Sequence, residues 1–164
     1  MQTDTGAEPP SIELQHAAPG EYRPTDERLR QWVAVGLAGK DQGVTLRIVP
    51  PEEIRALNHR YRERDKVTNV LSFPSDYPPE LGLPYLGDIA ICAEVVNREA
   101  AEQGKQRDDH WAHMVIHGTL HLCGYDHIDT HEAEQMESRE IALLATLNID
   151  NPYEIEPSTR VDHD

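Results

Sequence analysis

The residues best able to do chemistry lie in His117-Gly118-Thr119-Leu120-His121-Leu122-Cys123-Gly124-Tyr125-Asp126-His127, where histidines stand at relative positions 0, 4 and 10 with a glycine at 7. His117 and His121 are one helical turn apart, so their imidazoles leave the same helix face with Cβ atoms roughly 6 Å apart. Gly124 suits the left-handed residue that closes a helix, because it lacks a Cβ. The chain can then fold back and carry His127 toward the other two. Three neutral imidazoles and a water make an open tetrahedral zinc site, the arrangement of catalytic rather than structural zinc. The expectation is a metal-dependent hydrolase.

The spacing is also that of the metzincin peptidases, H-E-x-x-H-x-x-G-x-x-H. There the residue after the first histidine is a glutamate that serves as general base; here it is Gly118. Peptidase chemistry is therefore the weaker alternative. A second alternative is an assembly factor whose zinc is mainly structural, any cleavage being incidental.

The chain has nine histidines, and most need not bind a metal. His113 shares the helix face of His117 and His121, but His113 and His121 are separated by about 12 Å along the axis. Both cannot reach an ion whose bonds to nitrogen are about 2 Å long. His113 is read as a packed residue or one that lines the cleft. His131 is expected at the surface, and His59 and His110 have no special claim. Cys92 and Cys123 are too few for a disulfide framework; Cys123 is expected to pack rather than to ligate.

Elements that could position the triad follow from periodicity and punctuation. Residues Thr25 to Ala38 read as a helix with Leu29, Trp32, Val33 and Leu37 inward, and Val44 to Val49 as a strand. Pro51 opens a short helix to about Asn58, and Val70 to Phe73 is a strand stopped by Pro74. A Pro- and Gly-rich loop from Ser75 to Gly87 precedes a strand over Asp88 to Cys92. Three further helices follow: Glu94 to Gln103, Asp108 to Leu122 carrying the histidines, and Asp129 to Leu147. The last opens on Asp129 with Glu132 three residues on, as in a capping box. This alternation of short strands and helices indicates an α+β domain. Residues 1–20, rich in Pro, Thr, Ala and Glu, read as a disordered or loosely tethered extension, residues 21–153 as one domain, and 154–164 as a flexible tail.

The chain has 164 residues and a net charge of −15, which argues against indiscriminate adhesion to nucleic acid or anionic membrane. Against that background Arg55, Arg60, Arg62, Arg64 and Lys66 gather 5 of the 15 basic residues into one short stretch. No apolar run approaches the ~20 residues needed to cross a bilayer, and no signal peptide is visible. The default location is cytoplasmic.

Beyond spacing, the chain resembles the YbeY family of bacterial metallo-endoribonucleases. The resemblance covers H-G-T-L-H-L-C-G-Y-D-H, the stretch Leu57-Asn58-His59-Arg60-Tyr61-Arg62-Glu63-Arg64-Asp65-Lys66-Val67-Thr68-Asn69-Val70-Leu71-Ser72-Phe73-Pro74, then Leu86 to Cys92 and Glu132 to Glu137. It implies a zincin-like fold, with a small mixed sheet, packed helices and the metal helix lining a cleft. It implies one zinc ion on His117, His121 and His127, and Arg62 as a functional arginine. It implies single-stranded RNA as substrate, in 3′-end maturation of small-subunit ribosomal RNA and ribosome quality control. Small-subunit ribosomal proteins and an Era-type GTPase are the implied partners.

On that reading a guanidinium at position 62 could meet the charge that gathers on a phosphodiester under attack. From residue chemistry alone, an ion pair of Arg62 with Asp65 or Glu63 competes with that role. No general base is evident: Asp126 could orient an imidazole, the metal could suffice, or the RNA 2′-hydroxyl could be the nucleophile. Tyr61, Tyr77, Tyr85 and Tyr125 could stack on unpaired bases, although packing is the commoner use of tyrosine. An acidic nuclease is expected to bind free RNA weakly, since affinity comes largely from phosphate neutralisation.

Overall fold

The structure, a computed structural model, describes residues 11–76, 84–125 and 129–153. Its elements in chain order are β1 (Ile12–His16), α1 (Asp26–Leu37), β2 (Gly43–Val49), α2 (Pro51–Arg62), β3 (Val70–Pro74), β4 (Tyr85–Cys92), α3 (Ala93–Gln103), α4 (Arg107–Leu122) and α5 (Thr130–Ala145). The strands form one mixed sheet in the order β1-β2-β4-β3. β1, β2 and β4 run parallel, and β3 lies antiparallel to β4 at the edge. The α+β class read from the sequence is the one observed.

Side-chain alternation along the strands divides the core between the two faces of this sheet. Val44, Leu46, Ile48, Ile89 and Ile91 point into the main core with residues of α1, α3, α4 and α5. Their neighbours Val49, Ala90 and Cys92 point the other way, to a smaller cluster with Ile54 of α2 and with Leu57, Leu71 and Phe73. Helix α4 is the centre of the fold. It is buried nearly all round, and Gly36 lets α1 approach so closely that a Cβ there would sit 2.8 Å from Thr119 Cβ. A helix held on several sides is a stiff platform for anything mounted at its end.

Three local expectations change. Residues 12–16, read as part of a loose extension, form strand β1, with Ile12 and Leu14 against the main core. Only two apolar residues alternate there, too short a signal amid Pro- and Glu-rich sequence; pairing with β2 supplies what the local sequence lacks. Strand β4 starts at Tyr85, inside the expected loop. Helix α2 runs past Asn58 to Arg62 and is closed by Glu63 in the left-handed region (φ 58°). The extra turn matters, because it makes Arg62 the last residue of a helix rather than part of a loop. Asn58 donates from Nδ2 to Lys66 O at 3.0 Å and pins the turn that follows.

Candidate metal centre and cleft

The end of α4 is built as its sequence suggests. Gly124 takes φ 104°; its N–H bonds to His121 O, and the Tyr125 N–H reaches back to Leu120 O, both at 3.1 Å. This pair of bonds is the Schellman closure, and it satisfies carbonyls that a helix end leaves over. It also brings the Tyr125 carbonyl to His121 Nδ1, at 3.0 Å. His117 Nδ1 is held in the same manner by Glu140 Oε2, in a very short contact. A carbonyl and an ionised carboxylate only accept, so each neutral imidazole donates from Nδ1 and presents an unprotonated Nε2.

Those two Nε2 atoms stand 3.2 Å apart. Neither then has a proton to give the other, so the approach brings like partial charges together unless a cation lies between them. Two nitrogens bound at about 2.0–2.1 Å to one tetrahedral ion are roughly 3.3 Å apart. Imidazoles oriented through the far ring nitrogen by a carboxylate or a carbonyl are the usual second layer of a metal centre. His117 and His121 fit a divalent cation on geometry and on tautomer.

Glu140 is wholly buried and is the residue that sequence reading missed. Its carboxylate meets His117 Nδ1, His113 Nε2 at 3.3 Å and the Tyr153 hydroxyl. His113, His117 and Glu140 offer three donor atoms within 4.8 Å of one another, a set that could itself hold an ion. The direct contact of Glu140 with His117 Nδ1 leaves no space for a cation between them, so we read this set as the support beneath the Nε2 pair. A signal was present: Glu140 stands in register with Met136, Leu143 and Leu144 on the buried stripe of α5. A lone acid on an apolar stripe needs a partner inside.

Burial pushes the Glu140 carboxyl up, but hydrogen bonds from His113, His117 and Tyr153 outweigh it and hold it well below the usual range. Burial lowers His113 below the ordinary imidazole value of 6.5 despite its contact with Glu140. Both folded-state values are depressed, so between the two values the unfolded chain binds more protons. Stability from His113 is therefore complete above pH 6.5 and fades as the pH falls through its lowered value. That from Glu140 is complete above 4.5 and fades below it. The Tm of metal-free protein should fall in two stages on acidification, by about 2–4 °C for each kcal/mol lost. A Tm that stayed level from pH 7 to 4 would contradict this.

His117 and His121 open on a cleft of about 520 Å³ lined also by Arg62, Asn69, Ser72 and Tyr125. Arg62 donates to Ser72 O, with its guanidinium 5.4 Å from the centre of the Phe73 ring. The competing ion pair with Asp65 is not formed: Asp65 is held by Arg55 through bonds of 2.8 and 3.3 Å. Gly118, where the peptidases carry their base, faces the sheet. A Cβ there would lie 3.0 Å from Ile89 Cγ2 and 3.2 Å from Val70 Cγ2, and the Ser72 hydroxyl donates to Gly118 O at 2.8 Å. A glutamate at this position would run into β3 and β4, so the backbone itself disfavours the peptidase arrangement.

The remaining histidines sort by burial. His110 is buried and pairs with Glu99 at 2.9 Å, a role the sequence did not suggest. His59 and His131 are exposed. Cys123 is half-buried and packs against the main core. His127, Asp126 and Tyr77 lie outside the described residues. No helix among the described residues is long and apolar enough to cross a membrane.

Residues 22–148 match the sequence model of the family described as Endoribonuclease YbeY. A relative from Cellvibrio japonicus, named Endoribonuclease YbeY, is 50% identical over 146 residues, 87% of this chain and 82% of its own. Another of that name, from Pseudomonas fluorescens, is 53% identical over 145 residues, 87% and 95% of the two chains. The solution structure of a protein from Thermotoga maritima aligns with a TM-score of 0.49 at 26% identity, covering 89% of this chain and 97% of that one.

Proposed function

The chain belongs to the endoribonuclease YbeY family, and from that premise we propose that it is a zinc-dependent endoribonuclease of zincin-like fold acting on single-stranded RNA. The observation that carries the proposal is the pair of imidazole Nε2 atoms 3.2 Å apart, each oriented through its own Nδ1, opening on the cleft that Arg62 lines. His117 and His121 would hold the ion, with His127 as third ligand on the strength of its spacing after Gly124. A divalent cation so bound would polarise a phosphoryl oxygen and lower the pKa of a water.

The protein's own groups do the rest. Glu140 fixes the tautomer and the plane of His117, and the Tyr125 carbonyl does so for His121. Arg62 carries a permanent positive charge at the rim, suited to the non-bridging oxygens of a phosphodiester as charge gathers on them. Arg64 and Lys66 follow it in the chain and would guide the RNA backbone electrostatically. The cellular setting belongs to the same proposal: 3′-end maturation of small-subunit ribosomal RNA and ribosome quality control in the cytoplasm, with small-subunit proteins and an Era-type GTPase as partners.

The direct test is metal analysis of purified protein beside cleavage of single-stranded RNA and of casein, before and after chelation. About one zinc per chain and RNA cleavage lost on chelation and restored by zinc are expected. Cleavage that survives removal of the metal, or hydrolysis of casein alone, would overturn the proposal.

A further inference from the structure

Arg62 borders a second cavity besides the cleft. This cavity, of about 800 Å³, lies on the opposite face of the sheet, between α2 and the strands. Because β3 is the edge strand, its alternating side chains serve both spaces. Ser72 lines the cleft, while Phe73 lines the second cavity. Arg62 sits where the two meet, bonded to the Ser72 carbonyl and set over the Phe73 ring.

Tyr61, 52% exposed, stands edge-on to Phe73 with ring centroids 5.2 Å apart. The Arg60 guanidinium lies 5.2 Å from the Tyr61 ring centre. Large exposed rings beside guanidinium groups are what unpaired bases stack on. The opposite wall is acidic but largely satisfied. Arg47 clamps Glu53 through two bonds of 2.6 and 3.2 Å. The Tyr85 hydroxyl lies against Asp88 and 2.8 Å from Thr45 Oγ1. Such a wall repels a phosphate and accepts hydrogen bonds from the N–H edge of a base.

We propose that this cavity is a nucleobase subsite: an RNA strand whose phosphate rests by Arg62 at the cleft turns one neighbouring base over the edge of β3, onto Tyr61 and Phe73. This rests on the nuclease reading and adds to it where a base beside the cut is recognised. Strand β3 separates base from phosphate, and Arg62 and Pro74 line both spaces, Arg62 being the cation among them.

The test uses short single-stranded RNAs with one cleavage site and an abasic residue placed at each flanking position in turn. With the metal-loaded wild type, one abasic position should lower kcat/KM about tenfold or more relative to intact RNA. In Tyr61→Ala that ratio should fall to near one, whereas Tyr61→Phe should keep it. Because the ratio compares two substrates on one protein, a general disturbance of Arg62 or of the fold cancels. A second arm reads binding alone: 2-aminopurine at the same position should be quenched by His121→Ala protein at low salt, and much less once Tyr61→Ala is added. No abasic penalty in the wild type, or an equal penalty with and without Tyr61, overturns the subsite while leaving the nuclease reading intact. Failure of the wild type to cut any RNA overturns that reading instead, and the quenching arm then decides the subsite by itself. Unchanged 2-aminopurine fluorescence would leave a protein segment as the occupant and sink the proposal.

Discussion

His121→Ala should lose the bound metal and reduce RNA cleavage by about a thousandfold or more, because the step then lacks both a nucleophile generated at neutral pH and a polarised phosphoryl oxygen. The fold should survive. His121 is only partly buried, at the last turn of α4, and the helix is anchored by Trp111, Val115, Ile116 and Leu120, all essentially inaccessible. This separates catalysis from a merely structural metal. If zinc served folding, the same substitution would lower the Tm sharply. If zinc served assembly without hydrolysis, the variant would still support ribosome maturation. Metal content, a melting curve and a cleavage assay on one preparation distinguish these outcomes. A folded variant that matures ribosomes undiminished would end the hydrolase reading.

The site was legible where its instructions are local. Two histidines four residues apart need only a helix to converge, and Gly124 needs only to supply a left-handed residue, so 117, 121 and 124 can be read from the chain. Glu140 is a different matter. It meets His117 across 23 positions, through the packing of α5 on α4, and no local pattern announces which acid will turn inward. What the sequence offered was an anomaly, a carboxylate in register with Met136 and Leu144.

The same divide runs through the fold. α4 and the apolar strands were visible because burial imposes a period on them. β1 was not, since five residues with two apolar side chains become a strand only beside β2. Arg62 belongs between these cases. Its chain neighbours marked it by resemblance, yet its placement depends on α2 continuing one turn further than Asn58. The turn exists because no glycine or proline intervenes before Glu63, which closes the helix at the cost of a left-handed backbone.

That placement gives the second large effect. Arg62→Ala should lower kcat for RNA about a hundredfold to a thousandfold, the range seen when one preorganised donor to a developing oxyanion is removed. Binding of RNA should change much less, since a contact that strengthens as charge develops acts on the reaction step rather than on the ground state. Arg62→Lys should recover only part of the loss: it restores a positive charge but not the planar fork that can hold the Ser72 carbonyl and address phosphate oxygens together. Zinc content should be unchanged in both variants, because Arg62 donates to β3 rather than to His117 or His121. If Arg62→Ala instead lost its metal, or fell in melting temperature as far as in activity, the arginine would be a brace for the edge of β3 and not a partner of the substrate. A loss of RNA affinity with kcat unchanged would assign it to binding alone.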